Sequence, residues 1–281
     1  MKILVLGATG LLGQHLFTGL ETDDNYVFGT VRDLDTKKFF SINKQKNLIL
    51  LKSIFNLKDL KNILEYLEIE TVINCISISN ITDQSIGTLN TVFSDFPKEL
   101  GRICFEKKIR IIQISTDGVF SGKKGNYTEE DIPDPIDTYG NAKLSGELKK
   151  PNQITLRLSM IGHDHIKKQG LLEWFLTQKK CSLYSNYIFS GLTTNELTRI
   201  IRDYILVQKS LYGLYHVPSK PISKYDLLKL VAENYNCKVK LKKNETIKMN
   251  RTLCGTKFFR DTGYKAPTWK KLIYNMKLGK Y

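Results

Sequence analysis

In the stretch Lys2-Ile-Leu-Val-Leu-Gly7-Ala-Thr-Gly10-Leu-Leu-Gly13, an apolar run leads directly into three glycines spaced three residues apart. The apolar run predicts a buried first strand over residues 2–6, and the pattern that follows predicts a helix over 11–20. Glycine allows the tight turn between them, and the free amides of the helix N-terminus can hold a pyrophosphate. The order of strand, glycine turn and helix therefore predicts a dinucleotide-binding turn.

The alternation of short apolar runs and helical patterns continues to about residue 158. Further strands are predicted at 26–30, 47–51, 71–75, 110–114 and 154–158, and helices at 57–67, 87–107 and 139–149. The runs Thr71-Val-Ile-Asn74 and Arg110-Ile-Ile-Gln-Ile114 are continuous and rich in β-branched residues, as expected of buried parallel strands. We therefore predict an α/β fold of the Rossmann type, a doubly wound parallel sheet with ligands at the carboxyl ends of its strands.

Beyond residue 158 the pattern becomes less regular. Helices are predicted at 171–178, 194–206, 224–235 and 269–276, and a strand at 212–217. No segment rich in Gly, Ser or Pro separates the two parts of the sequence. We predict a dinucleotide-binding domain over 1–158, followed by a smaller α/β cap over 159–281 that mainly binds substrate and returns some elements to the first domain.

The stretch Tyr139-Gly-Asn-Ala-Lys143 lies on a predicted helix downstream of the glycine motif. Residues four apart share a helix face, so the Tyr139 hydroxyl and the Lys143 ammonium can face one site. The lysine charge favours the tyrosinate and so lowers the pKa of Tyr139 from its usual value of about 10. A tyrosine of this kind can exchange a proton near neutral pH, which indicates an enzyme with Tyr139 as acid or base.

Two further positions are informative because of the strands they follow. Arg32 comes just after the second strand, where such folds bind the adenosine ribose, and an arginine there suits a 2′-phosphate. This favours NADPH, with NADH as the alternative because Asp33 stands beside it.

Thr116, within Ser115-Thr-Asp117 at the end of the fifth strand, can hydrogen-bond a substrate carbonyl. A threonine that only caps a turn is its alternative role.

Two longer segments carry a resemblance to a known family. They are Ser115-Thr-Asp-Gly-Val-Phe-Ser-Gly-Lys-Lys-Gly-Asn-Tyr-Thr-Glu-Glu-Asp131 and Tyr139-Gly-Asn-Ala-Lys143-Leu-Ser-Gly-Glu147. Both resemble the extended short-chain dehydrogenase/reductases, and within them the chain is most similar to the dTDP-4-dehydrorhamnose reductase branch. Leu156-Arg-Leu-Ser159, Gly170-Leu-Leu-Glu-Trp174 and Gly213-Leu-Tyr-His216 extend the similarity over essentially the whole chain.

The resemblance implies a role for each matching residue. Tyr139 would be the catalytic acid/base, Lys143 would lower its pKa and contact the nicotinamide ribose, and Thr116 would orient the reacting carbonyl. The residues that match the cofactor-binding segments of the family are Gly7, Thr9, Gly10, Leu11 and Leu12 at the pyrophosphate, and Cys75, Ile76 and Ser77 along the adenine and ribose.

The chain also departs from this branch. Gly118 stands where the rhamnose reductases usually carry an aromatic residue, which reshapes the pocket beside the sugar. Asn74-Cys-Ile-Ser77 is not the alanine-rich sequence typical of the branch, and Lys52-Ser-Ile54 lacks the acidic residue often found after the third strand. The sugar and its carrier nucleotide therefore stay open. The residues expected on the substrate side are Asp117, Gly118, Trp174 and Arg251, with core packing as the alternative for Trp174.

These features together predict an NAD(P)H-dependent reductase of a nucleotide-linked 4-keto-6-deoxy sugar. Its place in surface polysaccharide or glycan biosynthesis follows from the resemblance alone. A nucleotide-sugar epimerase that retains NAD and a cofactor-binding regulatory subunit without turnover are the alternatives. A dehydratase is disfavoured, because dehydratases usually follow the threonine with an Asp-Glu pair and Thr116-Asp-Gly118 contains no glutamate.

The charge and the apolar content of the chain limit the classes of partner that we expect. The net charge is +15, yet the lysines are dispersed along the chain and no nucleic-acid-binding motif accompanies them. We predict no nucleic-acid partner and attribute the charge to attraction of a phosphate-bearing substrate. No apolar run approaches the roughly 20 residues that cross a bilayer, and the first strand begins at once. We therefore expect no membrane segment, no leader and a cytoplasmic protein.

The spacing of the cysteines and histidines argues against a metal-binding site. The five cysteines are scattered without a C-x-x-C pair, which indicates reduced thiols. His163 and His165 have no third ligand at a suitable spacing, so we predict no metal site. A homodimer is a common outcome in the resembled family, but no interface signature is present in the sequence, so the oligomeric state stays open.

Overall fold

The computed structural model of the chain describes residues 1–78 and 81–281. It divides into two compact units: Met1–Ser115, Asp137–Leu156 and Lys209–Leu214 form the first, and Thr116–Ile136, Arg157–Gln208 and Tyr215–Tyr281 form the second. The chain leaves the first unit after Ser115 and again after Leu156, and it returns at Asp137 and at Lys209. The excursion of residues 116–136 into the second unit was not anticipated by the sequence pattern.

Short strands alternate with helices along most of the chain. The strands are β1 (Lys2–Leu6), β2 (Tyr26–Val31), β3 (Leu48–Leu50), β4 (Thr71–Asn74), β5 (Arg110–Ile114), β6 (Gln153–Arg157), β7 (Met160–Ile161), β8 (Lys180–Tyr184), β9 (Tyr187–Phe189), β10 (Leu192–Thr193), β11 (Gly213–His216), β12 (Ile222–Ser223), β13 (Lys240–Asn244) and β14 (Met249–Asn250). The α-helices are α1 (Leu11–Gly19), α2 (Ile42–Gln45), α3 (Leu57–Tyr66), α4 (Ile86–Asn90), α5 (Phe96–Glu106), α6 (Thr138–Ser145), α7 (Leu171–Leu176), α8 (Thr194–Ile200), α9 (Lys224–Tyr235), α10 (Thr256–Thr262) and α11 (Trp269–Lys277).

The first unit is built on a seven-stranded sheet with the order β11-β6-β5-β4-β1-β2-β3. The neighbouring pairs from β6 to β3 are all parallel. The order reverses at β1, which lies between β4 and β2, and such a switch point is where open α/β sheets bind ligands. The predicted fold class, a doubly wound α/β sheet, is confirmed.

Burial in the core of the first unit explains why the sequence of β1 is an uninterrupted apolar run. Ile3, Leu4, Val5 and Leu6 are fully buried, so both faces of the strand are covered. On one face, β1 and β4 pack against the apolar stripes of α3 and α5, through Leu60, Leu64, Leu100 and Ile103. Burial on both faces is what removes the polar–apolar alternation of a half-exposed strand.

The second unit contains three small sheets, β10-β7, β12-β9-β14 and β13-β8. In the middle sheet, β12 pairs antiparallel with β9, and β14 pairs parallel with its other edge. The sequence pattern predicted α9 correctly but not most of these strands, because strands of two to five residues are too short to show a periodicity.

Candidate active site

The glycine turn has the geometry of a phosphate-binding turn. Gly7 has φ +80°, in the left-handed region that glycine enters without strain. A Cβ on Gly13 would lie 2.0 Å from Gly7 O, so only glycine lets α1 approach the turn this closely. The amides of Leu11 and Leu12 stand in the first turn of α1, where helix N–H groups have no intrahelical partner. These amides fit the pyrophosphate of a dinucleotide.

The end of β4 lies directly against this turn. A Cβ at Gly7 would be 3.2 Å from both Cys75 O and Ile76 Cα. The structure therefore brings the two segments expected to hold the cofactor, the glycine turn and Cys75–Ile76, into contact within the first unit. Ser77 is exposed just beyond them.

Tyr139 and Lys143 lie one helical turn apart on α6. The helix begins where the Asp137 carboxylate accepts a hydrogen bond from Gly140 N at 2.7 Å. The Tyr139 ring packs edge-on against Phe93 with 5.2 Å between ring centroids, and Lys143 Nζ lies 5.3 Å from the same Phe93 centroid. One aromatic ring thus positions both side chains, as their four-residue spacing predicts.

The C-terminal end of α6 is set by a close approach to the chain at Phe93. A Cβ on Gly146 would lie 1.9 Å from Phe93 O. The predicted helix over 139–149 therefore ends early, at Ser145, with Gly146 as its C-cap. This contact fixes the distance between α6 and Phe93, and so helps to position Tyr139 and Lys143.

Lys143 is a buried cation, only 7% exposed. Its Nζ donates a hydrogen bond to Ile114 O at the end of β5. Burial lowers the pKa of Lys143 to about 8, and the nearby Glu147 carboxylate opposes this shift. Burial also raises the pKa of the neighbouring Cys75 thiol to about 12, so that thiol is neutral at neutral pH. At pH 7 the ammonium form of Lys143 still predominates.

The lowered pKa of Lys143 predicts that activity falls at alkaline pH. Because Lys143 must be protonated to favour the tyrosinate of Tyr139, we expect kcat/KM for NADPH to fall as pH rises through about 8. A Glu147→Gln variant loses a carboxylate that stabilises the ammonium, so its inflection is expected at a lower pH. Stopped-flow or steady-state profiles from pH 6 to 10 would check this, and a profile that stays flat to pH 10 would contradict it.

Thr116 lies in the second unit, just after β5. Its Oγ1 accepts a hydrogen bond from Gly118 N at 3.0 Å and caps the short turn Asp117–Val119. Its hydroxyl donates to Asp117 Oδ1 over a longer 3.4 Å. Thr116 therefore caps a turn, which was its alternative role, and the capping bond uses the oxygen but not the proton. The proton makes the longer contact with Asp117.

Asp117, Gly118 and Arg251 come together in the same unit. Burial raises the pKa of Asp117 to about 6, although Lys224 and Arg251 act in the opposite direction. A Cβ on Gly118 would lie 3.2 Å from Thr116 Oγ1 and 3.7 Å from Arg251 Nη1. The missing side chain at Gly118 thus leaves a gap between a hydroxyl and a guanidinium.

Lys224, the first residue of α9, acts electrostatically on Asp117 but was not among the residues that the sequence predicted at the site. Its helix starts with Ser223 Oγ accepting from Asp226 N at 2.9 Å. A lysine at this first position opposes the helix dipole, which favours anions at the N-terminus. An unfavourable charge at the start of a helix indicates that the side chain has a role other than stabilising that helix.

Two other expected residues lie at the surface. Arg32 is exposed after β2, while the neighbouring Asp33 carboxylate accepts from Asp35 N at 2.9 Å. Trp174 on α7 is 46% exposed, so the core-packing alternative for it is wrong. The exposed indole remains available for stacking.

His163 is hydrogen-bonded through both of its ring nitrogens. His163 lies between Glu173 Oε1 and the Tyr235 hydroxyl, each 2.9 Å away. In residues 1–78 and 81–281 we find no group of three or more His, Cys, Asp or Glu side chains suited to a metal ion.

Over the same residues, no helix combines the length and apolar character needed to cross a bilayer.

A doubly wound sheet with a glycine turn at its switch point and a Tyr–Lys pair on α6 defines an NAD(P)-dependent oxidoreductase of the extended short-chain dehydrogenase/reductase class. The family is shown directly by sequence. The chain belongs to the family described as RmlD substrate binding domain, whose family model matches residues 1–271. The resemblance inferred from the motifs is thereby confirmed.

Individual relatives cover this chain to different extents. Methionine adenosyltransferase 2 subunit beta of Danio rerio is 22% identical over 255 residues, 84% of this chain and 74% of that protein. A probable low-salt glycan biosynthesis reductase of Haloferax volcanii is 30% identical over 168 residues, 57% of this chain and 54% of that protein. The crystal structure of a Bacillus anthracis dTDP-4-dehydrorhamnose reductase in complex with NADP superposes with a TM-score of 0.79 at 20% identity, over 100% of this chain and 99% of that one. At that identity the likeness establishes the fold.

Proposed function

We propose that this protein reduces the keto group of a nucleotide-linked 4-keto-6-deoxy sugar, with NADPH as reductant. The observation that carries the proposal is the Tyr139–Lys143 pair held on α6 against Phe93, with Lys143 buried beside the end of β5. The names of the Haloferax volcanii and Bacillus anthracis proteins, both reductases, support it. We place the reaction in the cytoplasm, in glycan or surface polysaccharide biosynthesis, and expect a homodimer.

The residues divide the chemistry between them. Bound nicotinamide supplies the hydride. Tyr139 donates a proton to the carbonyl oxygen, and the Lys143 ammonium stabilises the tyrosinate left behind. Thr116 donates a hydrogen bond from its hydroxyl to the substrate carbonyl in place of the long contact with Asp117, and so stabilises developing negative charge. The amides of Leu11 and Leu12 hold the pyrophosphate.

NADPH and NADH consumption against dTDP-, UDP- and GDP-linked 4-keto-6-deoxy sugars tests this function. Stoichiometric consumption with one of these sugars, absent in Tyr139→Phe, is the expected result. Tightly bound NAD released on denaturation, together with no net consumption, would instead identify an epimerase. No consumption with any sugar, despite measurable cofactor binding, would overturn the reductase.

The preference for NADPH is proposed from the surroundings of Arg32. The Asp33 carboxylate caps the turn that follows, through Asp35 N, which leaves the exposed Arg32 guanidinium as the group suited to a 2′-phosphate. We expect Arg32→Ala to weaken NADPH binding by about tenfold, as for a hydrogen-bonded charge pair, and to leave NADH binding unchanged. Fluorescence titration checks this, with exposed Lys38→Ala as the matched control. Equal losses for both cofactors would contradict it.

A second candidate is a subunit that binds cofactor and a partner enzyme. The similarity to the Danio rerio subunit, which extends over 84% of this chain, favours it. Co-elution with a methionine adenosyltransferase catalytic subunit, without keto-sugar turnover, would support this role over the reductase.

A further inference from the structure

The two-stranded sheet β13-β8 of the second unit is strongly basic. It is built from two segments, residues 177–184 and 237–244, which together contain six lysines and no aspartate or glutamate. The strands of these segments pair in parallel over their full length. Lysines that are dispersed along the sequence are therefore close together in the structure.

The pairing register places the lysines of the two strands on one face. Successive side chains of a strand point to opposite faces, so Lys180 and Ser182 share one face of β8. Lys240 and Lys242 lie directly opposite them on β13. These four side chains are exposed, whereas Leu183 on the other face is buried. We call the exposed face the lysine face, defined by Lys180, Ser182, Lys240 and Lys242.

The lysine face holds uncompensated positive charge. Lys180 and Lys240 are direct partners in the register, on strands about 4.8 Å apart. Like charges at opposed positions destabilise a sheet. Within residues 1–78 and 81–281, no carboxylate lies at ion-pair distance from a lysine of this face. A bound anionic partner would relieve the repulsion.

The composition of the lysine face distinguishes between anionic partners. Its cations are all lysines, which lack the planar fork with which arginine binds a single phosphate or carboxylate. Single-stranded nucleic acid stacks on aromatic rings between the cations, but the adjoining Tyr184 is partly buried. The centre of a protein–protein interface is apolar and poor in lysine, and the lysine face is neither. Several lysines in one plane suit an anionic lipid surface, where each adds about fivefold to the affinity.

We propose that the lysine face binds the protein to the surface of an anionic membrane. The contact is peripheral: the ammonium groups meet negatively charged lipid headgroups, and no segment of the chain enters the bilayer. The proposal goes beyond the reductase activity and does not depend on it, because the lysine face contains none of the residues assigned to catalysis or cofactor binding.

Sedimentation of the full chain with lipid vesicles tests this proposal. We expect the protein to sediment with phosphatidylcholine vesicles that contain about 30% phosphatidylglycerol, but not with phosphatidylcholine alone, and to be released by salt at about 0.5 M. The triple variant Lys180→Gln/Lys240→Gln/Lys242→Gln should lose about 100-fold in vesicle affinity, at about fivefold for each lysine. Arginine at the same three positions keeps the charge and should keep the affinity.

The matched control removes the same charge from another part of the protein. Lys58, Lys108 and Lys209 are exposed lysines of the first unit, and their triple glutamine variant should bind vesicles as the unaltered protein does. Thermal unfolding checks the fold of both triple variants. Glutamine at Lys180 and Lys240 removes a repulsion, so the unfolding temperature should not fall.

An equal loss of affinity in the control variant would show that net charge alone attracts the vesicles, and would overturn the role of the lysine face. No sedimentation of the unaltered protein with anionic vesicles, or equal sedimentation with phosphatidylcholine alone, would also overturn it. Binding of a labelled oligonucleotide through these lysines, without vesicle binding, would replace the membrane by nucleic acid. Vesicle binding needs no turnover, so its result is separate from that of the keto-sugar assay.

Discussion

Tyr139→Phe is expected to lower kcat by about 10²- to 10⁴-fold, the range for loss of a general acid. The phenyl ring keeps the edge-on packing against Phe93, and the Lys143 hydrogen bond to Ile114 O does not involve the phenol. NADPH affinity and unfolding temperature should therefore stay close to those of the unaltered protein. Steady-state kinetics with the substrate found in the keto-sugar panel, together with cofactor titration, would measure both.

The control for this variant is Tyr66→Phe. Tyr66 lies on α3 in the same unit and is 88% exposed, so removal of its hydroxyl should leave kcat unchanged. A Tyr139→Phe protein within about threefold of full activity would show that another group supplies the proton, and would remove the role assigned to Tyr139. Parallel loss of cofactor affinity would instead point to a displaced α6.

Gly13→Ala is expected to have the second large effect, through the cofactor site. The added methyl would lie 2.0 Å from Gly7 O, a separation that real Cβ atoms essentially never show, so either α1 or the turn must move. Overpacking of this kind costs about 1–3 kcal/mol of unfolding free energy. Because the amides of Leu11 and Leu12 move with the helix, NADPH affinity should fall by at least about tenfold.

Gly87→Ala provides the matched comparison. Gly87 lies on the exposed part of α4, and the nearest atom to an added Cβ is Ser85 Oγ at 3.9 Å. Alanine there should be neutral or stabilising by about 0.5–1 kcal/mol. Denaturant unfolding and NADPH titration of both variants would separate the general glycine effect from the local clash. Equal behaviour of the two variants would show that the turn tolerates the added methyl.

The site could be predicted where its residues are close in sequence. Gly7, Gly10 and Gly13 span one turn and one helix start, and Tyr139 and Lys143 share one helical turn, so their proximity follows from local geometry alone. The expected ends of β1 and β5 match the structure for the same reason, since a buried strand shows an unbroken apolar run. Lys224 and Arg251 are far apart in sequence, and they follow residues that pair with the two edges of β9, an arrangement that no local pattern encodes.

The sequence by itself determined the class of fold, the glycine turn and the one-turn spacing of Tyr139 and Lys143, because alternating strands and helices, a turn and a helical spacing are local patterns. The order of the strands in the sheet was decided by pairings between distant segments, such as β1 with β4. Only the tertiary structure decided that α6 stops at Ser145 and that Lys224 and Arg251 both act electrostatically on Asp117. The first depends on close packing of Gly146 against Phe93 O, where an added Cβ would lie only 1.9 Å away, and the second depends on contacts between distant segments of the second unit. Burial is a property of the packed chain, and it lowers the pKa of Lys143 and raises that of Asp117.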